Sequence, residues 1–367
     1  HMLRPTRTMA AAVIGAAAAF GPIATPAPAS PGHDAPGHDA PGKAVAQAKK
    51  DAHKPSTKND PYTFAVIGDV PYGDAQIKLF PTWINQVNAS NPKMTFHVGD
   101  IKNGSTRCDD AYYSLIKSNF DGFKSPFIYT PGDNEWTDCH RANNGAYNPL
   151  DRLALDRRTF FPQPGTTMGQ KPMQVTSQSY LGVPENVRLS RSGISFATIH
   201  VVGSNDDLLP WAGIGNKAVT PEQAADQAQR MTAAIANVHD TFAAAKRNHD
   251  RAVMVFTQAD MFDPTFDVQW KDNSAFKPLV QALIDESNNF KGETYLVNGD
   301  SHVYNSDKPL AVGSKWLDFY GVKGSSSLQR ITTDGSENNK DYLMFTVNPS
   351  KKGQAVSWVR VPYEAQA

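Results

Sequence analysis

After Pro61 the chain alternates short apolar runs with segments of helical spacing. Tyr62 to Ile67, Met94 to Val98 and Phe127 to Thr130 are short apolar runs, each stopped by a glycine or proline turn, and read as buried strands. Between the first two, Gln76 to Val87 places Ile77, Phe80, Ile84 and Val87 on one helical face in spite of Pro81, and Tyr112 to Phe123 reads as a second helix. The clearest helix is Pro221 to His249. There Ala228, Met231, Ile235, Val238, Phe242 and Ala245 recur every three or four residues, behind Thr220 as N-cap and Pro221 as first helical residue. Ser195 to Val202, Val253 to Phe256 and Thr294 to Val297 read as further strands, and Phe276 to Ile284 as a helix. From Lys315 onward the pattern predicts strands at Trp316 to Tyr320, Leu328 to Thr332, Tyr342 to Val347 and Val356 to Val361. The expectation is one α/β domain over residues 61–363, with the looser stretch from Gly145 to Pro210 as an insertion and rim loops.

The first sixty residues have a different texture. His1-Met2 reads as a cloning remnant. Arg4 and Arg7 precede an apolar, Ala-rich run from Met9 to Ala24, and Ala27-Pro28-Ala29-Ser30 offers a small-residue cleavage site, so residues 1–30 are expected to be an export signal. Residues 31–60 are rich in Pro, Gly and Ala and repeat Pro-Gly-His-Asp-Ala at His33 and His38, which predicts a disordered tether rather than a metal site on His33, Asp34, His38 and Asp39. No later run is long and apolar enough for a membrane span, so the mature protein is expected to be exported, secreted or held in the cell envelope, with no membrane attachment of its own. Lys plus Arg is 36 and Asp plus Glu is 36, and a net charge of zero gives no reason to expect nucleic acid as a partner.

Candidate chemistry lies where strands give way to glycine turns. Asp69 stands in Ile-Gly-Asp-Val-Pro-Tyr, Asp100 in Val-Gly-Asp-Ile-Lys-Asn-Gly, Asp133 in Pro-Gly-Asp-Asn-Glu and Asp300 in Asn-Gly-Asp-Ser-His. A single Gly-Asp pair is a common turn dipeptide and means little. Four at successive strand ends are different, because ligands of open α/β sheets bind outside the carboxyl ends of the strands. Carboxylates gathered there repel one another, and a divalent cation resolves the conflict.

The order and spacing of these motifs, from about residue 63 to 304, resemble the calcineurin-like metallophosphoesterases, which include the purple acid phosphatases. The resemblance implies a four-layer α/β/β/α sandwich and a metal centre on which Asp69 takes the first aspartate and Asp100 the metal-bridging one. Gly132-Asp133-Asn134-Glu135 then takes the Gly-Asn-His-Glu place, Gln258 the lone histidine and Gly299-Asp300-Ser301-His302 the Gly-His-x-His place. The departures are as informative. Pro71 stands at the first-motif histidine, Gly104 comes one residue early, Asn134 replaces the catalytic histidine, Gln258 and Asp300 replace ligand histidines, and Asn103 stands where a purple iron centre has tyrosine. The implied ligand set, Asp69, Asp100, Asp133, Gln258, Asp300 and His302, is rich in oxygen and suits one or two Mg, Ca or Mn ions better than Zn.

The implied activity is metal-dependent phosphoric ester hydrolysis of a small phosphorylated substrate, phosphomonoesters first, with Asn134 and His140 or Arg141 facing the phosphate. An exported phosphodiesterase or nuclease, or a catalytically degenerate metal-binding module on the same fold, are the alternatives. Tyr72 and Tyr129 read as rim or core packing, His97 and His200 as buried strand residues, Lys102 and Arg107 as groups attracting an anion, and Asn205-Asp206-Asp207 as a turn. Cys108 and Cys139 follow Asp100 and Asp133 within a few residues, so in an exported protein they are expected to form a disulfide.

Overall fold

The computed structural model describes residues 60–364. The expected export signal, residues 1–30, and the expected tether, residues 31–60 except its last residue, lie outside them. In the described part, two sheets face each other and helices cover both outer sides.

The first sheet is built on three parallel strands, β1 (Tyr62–Ile67), β2 (Thr95–His97) and β3 (Phe127–Tyr129). The second contains β4 (Thr176–Gln178), β5 (Val183–Arg191), β6 (Ile194–Thr198), β7 (Ala252–Phe256), β8 (Glu293–Asn298), β9 (Asn305–Asp307) and β10 (Leu328–Thr332). Its centre, β6-β7-β8-β10, is parallel. The chain then returns to the first sheet with β11 (Asp341–Val347) and β12 (Val356–Pro362), giving the order β12-β11-β1-β2-β3.

Strand periodicity explains the layers. In β1, Phe64 and Val66 point between the sheets while Ala65 and Ile67 point to the helices, the period of two that a strand imposes. The inter-sheet core is aromatic: Phe64 stacks on Phe345 at 4.8 Å and meets Phe196 of the other sheet edge-on at 5.4 Å, and Phe96 stacks on Phe256 at 4.1 Å. Outside the first sheet lie α1 (Gly73–Ala89), α2 (Asp110–Phe120) and α3 (Pro149–Phe160). Outside the second, α4 (Pro221–Asn248) and α5 (Lys277–Asn288) bury Met231, Val238, Phe242, Leu279 and Leu283 in a common cluster. The four-layer α/β/β/α arrangement is therefore as expected. The start of α4 is too: Thr220 accepts the Gln223 N–H and the Gln223 side chain accepts the Thr220 N–H, a reciprocal cap with Pro221 just inside.

Two expectations are corrected. Trp316 to Tyr320 is not a strand but all except the first residue of α6 (Lys315–Tyr320). Its aromatic content suggests a strand, but Ser314 caps it by accepting the Trp316 N–H, and Gly321 closes it in the left-handed conformation. The stretch from Gly145 to Pro210 is also more regular than expected, holding α3, β4 and β5 ahead of the predicted strand that is β6. In α3 the buried positions include Asp156, so an apolar stripe is missing, and the legible signal was Asn148-Pro149, with the Asn148 side chain accepting the Leu150 N–H.

The disulfide between Cys108 and Cys139 is formed, with Cα atoms 5.8 Å apart. It ties the loop after β2 to the loop after β3. Closing 31 positions stabilises by about 3–4 kcal/mol in the chain-entropy account. Replacing both cysteines with serine should lower the unfolding free energy by about that amount, measured as the urea midpoint of the oxidised protein against the double variant.

Candidate metal centre

Both sheets aim the carboxyl ends of their parallel strands at one rim. Asp69 follows β1, Asp100 follows β2, Asp133 follows β3, Gln258 follows β7 and Asp300 follows β8. Their side chains converge. Carboxylate oxygens of Asp100, Asp133 and Asp300 lie within 4.8 Å of one another, and so do ligand atoms of Asp69, Asp100 and His302. The two groups share Asp100.

The backbone is distorted to achieve this. Asp69, Asp100, Asp300 and His302 all have positive φ, between 50° and 74°. Such conformations in residues other than glycine concentrate at functional sites. The glycines serve close approach. A Cβ on Gly132 would lie 2.1 Å from Asp100 Oδ1, and one on Gly299 would lie 2.3 Å from Asp69 Oδ2.

Burial and mutual repulsion dominate the electrostatics. Asp69 and Asp100 are fully buried, Asp133 nearly so. Burial, reinforced by the charges of Asp133, Glu135 and Asp69, pushes the Asp100 carboxyl far above the usual carboxylate range, and burial with Asp133 and Asp69 does the same to Asp300. His302 is raised: burial opposes its charge, but the hydrogen bond and charge of Asp69 prevail. Among the described residues, the ion pair these carboxylates make is that of Asp69 with His302, at 3.3 Å. A divalent cation fits each group, because it supplies the missing positive charge to oxygen donors already at close quarters. Asp69, Asp100 and His302 would hold one, and Asp100, Asp133 and Asp300 another.

Donors hold the carboxylates in place. Asn134 gives its backbone N–H to Asp100 Oδ1 at 3.2 Å and its side-chain amide to Asp100 Oδ2 at 2.9 Å. The Asp300 N–H reaches Asp69 Oδ1 at 3.0 Å. Glu135, fully buried, accepts the Asp100 and Gly132 N–H groups and the Tyr129 hydroxyl, so it shapes the Asp100 and Asp133 turns from below.

Gln258 is in the cluster, oriented as a donor. Its amide nitrogen lies 3.3 Å from Asp100 Oδ2 and 3.2 Å from Asp133 Oδ1, while its carbonyl oxygen accepts the Gly203 N–H. Arg141 borders the site: it pairs with the buried Asp138 at 2.7 Å. A side chain on Gly104 would meet Arg141 Nη1 at 3.2 Å and Asn134 Oδ1 at 3.4 Å, so the guanidinium and the Asn134 amide share the space over that glycine. His140 stands further out, its Nδ1 accepting the Gly213 N–H. Burial lowers its pKa.

Several residues sit where sequence reasoning did not put them. Tyr72 is not rim packing. Its hydroxyl donates to Asp100 Oδ2 at 2.9 Å, accepts from Asn134 at 2.8 Å and lies 3.2 Å from His302 Nε2. The signal was present in Asp69-Val-Pro-Tyr72, three residues past the first aspartate. Lys102 does not face solvent to attract an anion. It is fully buried, donates to the carbonyls of Asn103 and Asn134 and to Asn144 Oδ1, and burial drops its pKa to about 8. Arg107 is exposed and pairs with Asp109. His97 and His200 are buried strand-end histidines, the first bonded to the Val70 carbonyl and the second to Glu185.

The Asn205-Asp206-Asp207 segment is a turn of an uncommon kind. Ser204, Asn205 and Asp206 have φ of 54°, 56° and 54° with ψ of 37°, 42° and 43°, and Asp207 has φ of 68°, a complete left-handed turn. Each such residue costs roughly 1–2 kcal/mol relative to the right-handed form. Ser204 Oγ donates to Asp133 Oδ2 at 2.9 Å.

No family model and no curated protein matches this sequence. Among solved structures, a dimetal phosphatase from Danio rerio is 12% identical, covering 83% of this chain and 100% of that one at a TM-score of 0.47. GAP50, the anchor in the inner membrane complex of Plasmodium, is 11% identical over 83% of this chain and 90% of that one, at a TM-score of 0.43. The purple acid phosphatase PPD1 from yellow lupin seeds is 11% identical over 83% of this chain but only 54% of its own length, at a TM-score of 0.42. Two of these three neighbours are phosphatases and the third is an anchor protein.

Proposed function

We propose that this protein is a metal-dependent phosphoric ester hydrolase acting on small phosphorylated substrates, phosphomonoesters first. One observation carries the reading: two groups of ligand atoms that share Asp100. A scaffold has no use for buried like charges that raise one another's pKa, whereas a pair of hard cations needs them. When bound, the cations supply charge neutralisation for phosphoryl oxygens and lower the pKa of a water. The oxygen-rich donors favour Mg, Mn or Ca over Zn. The disulfide supports a location outside the reducing cytosol.

The protein's own groups do the rest. The Asn134 amide hydrogens are shared between Asp100 and Tyr72. A phosphoryl oxygen entering beside Asp100 takes one of them, and Arg141, held by Asp138 over the same glycine, offers a second positive contact. Neither Tyr72 nor His140 is suited to giving a proton to the leaving oxygen. The Tyr72 hydroxyl spends its hydrogen on Asp100, and His140 is turned toward Gly213.

Asp100→Asn should be the most damaging single change, since Asp100 belongs to both ligand groups. The wild-type protein is expected to bind two Mn ions in calorimetry. The variant should lose affinity and activity by more than roughly 100-fold, beyond the usual cost of an outer-shell partner. Unchanged metal content would show that the cluster is not the centre.

A second expectation concerns the leaving group. Acid assistance is typically worth ~10²–10⁴-fold, so its absence should make turnover fall steeply from activated aryl phosphates to simple alkyl phosphates. Asn134→His, which restores an imidazole, should flatten that dependence. A series of aryl and alkyl esters assayed on both proteins decides it; equal turnover of alkyl and aryl esters by wild type would contradict it.

A further inference from the structure

The left-handed turn at Gly203–Asp207 leaves β6 at the same rim as the carboxylates and presses against two of them. A Cβ on Gly203 would lie 2.6 Å from Asp133 Oδ2 and 3.0 Å from Asp300 Oδ2. Both oxygens of Asp133 are governed from this turn. Ser204 Oγ donates to Oδ2 at 2.9 Å. Gln258 donates to Oδ1 at 3.2 Å, and the orientation of Gln258 is fixed by the Gly203 N–H on its carbonyl oxygen at 2.7 Å.

A turn in this conformation does not persist unaided, and its restraint comes from α4. Arg230 is fully buried. Its Nη1 lies 2.6 Å from Asp206 Oδ1, its Nη2 donates to the Asp206 carbonyl at 3.1 Å, and its Nε pairs with Asp226 at 2.7 Å. Gln227 takes the other Asp206 oxygen at 2.9 Å. Asn205 is tied on the far side, accepting the Ala275 N–H and donating to the Lys271 carbonyl. The same guanidinium lies 4.8 Å from the ring centroid of Trp136, three residues beyond Asp133. Arg230 therefore grips the turn and the Asp133 loop at once.

We propose that Ser204 and Arg230 are positioning residues. In this view the left-handed turn, locked by Arg230, sets the orientation of Asp133 and thereby the affinity of the Asp100–Asp133–Asp300 cation position, and touches the Asp69–Asp100–His302 position only through the 3.3 Å contact of Gln258 with the shared Asp100. The inference rests on the metal-centre reading above. It makes the two positions separable. A lysine cannot reproduce the fork that holds both the Asp206 carboxylate and its carbonyl. A glycine at 204 keeps the left-handed backbone at no steric cost and removes the hydroxymethyl group that reaches Asp133.

The experiment uses the full chain titrated with Mn alone, followed by calorimetry and by electron paramagnetic resonance, for wild type, Ser204→Gly and Arg230→Lys. Thermal melting is recorded for each. Ser204→Gly should melt no lower than wild type yet bind the second Mn about 10–100-fold more weakly, the usual effect of an outer-shell partner. At two equivalents its spectrum should keep the six-line signal of isolated Mn, where wild type shows the coupled pair. Arg230→Lys should show the same selective loss. If both variants bind two Mn ions with wild-type affinities and coupling, the positioning role is overturned while the centre stands. If wild type itself binds no Mn, the centre fails and the inference with it.

Discussion

The structure depends on holding mutually repelling carboxylates in one buried place. Asp69 and Asp100 have almost no access to solvent, Asp133 has little and Asp300 is part-buried, and the acidity of Asp100 and Asp300 is suppressed by burial and by their neighbours. Fixed dipoles meet the oxygens of Asp69, Asp100 and Asp133: the Asn134 and Asp300 N–H groups, the Gln258 amide, the Tyr72 and Ser204 hydroxyls. The glycines at 132 and 299 exist because any side chain there would occupy the carboxylate's own space. The positive φ angles at Asp69, Asp100 and Asp300 are the backbone's share of the cost, sustained by the two sheets behind them.

Much of this was legible in the sequence because it is local. A short apolar run, a glycine and an aspartate predict a strand end and a turn carboxylate, and four repetitions in order predict a shared rim. The capped helix at Pro221 and the pairing of Cys108 with Cys139 were readable for the same reason, since a cap is a short-range signal and both cysteines follow motif loops. What was not legible depends on partners distant in sequence. Tyr72 becomes part of the centre only because Asn134 and His302, 62 and 230 positions away, come to its hydroxyl. Lys102 looks like a surface cation until Asn144 and the Asn134 carbonyl enclose it. The left-handed turn needs Arg230, 24 positions beyond Asp206, and nothing in Ser-Asn-Asp-Asp announces a conformation that tertiary contacts impose. The helix at Lys315–Tyr320 shows the reverse error, where aromatic composition outweighed a serine cap and a closing glycine.

Charge is managed differently behind the rim. Arg230 faces Asp206 and Asp226, and Arg330, also fully buried, faces Asp260 and Asp307. These pairs are compensated and serve as braces. Asp260 links one brace to the centre, since its backbone N–H reaches Asp300 Oδ2 and its side chain accepts from Ser301. The ligand carboxylates lack such a brace apart from the contact of Asp69 with His302, and a cation would be drawn to them.

The ligands are divided between the sheets: Asp69, Asp100 and Asp133 extend from β1, β2 and β3, while Asp300 and His302 follow β8 in the other sheet. Neither sheet alone carries a complete ligand group. The centre therefore comes into being only once the aromatic interface of Phe64, Phe96, Phe196 and Phe256 has closed. A cation held by ligands from both sheets would bind only the docked state, so its free concentration would act by mass action on docking itself and the ion would serve as a clasp between layers.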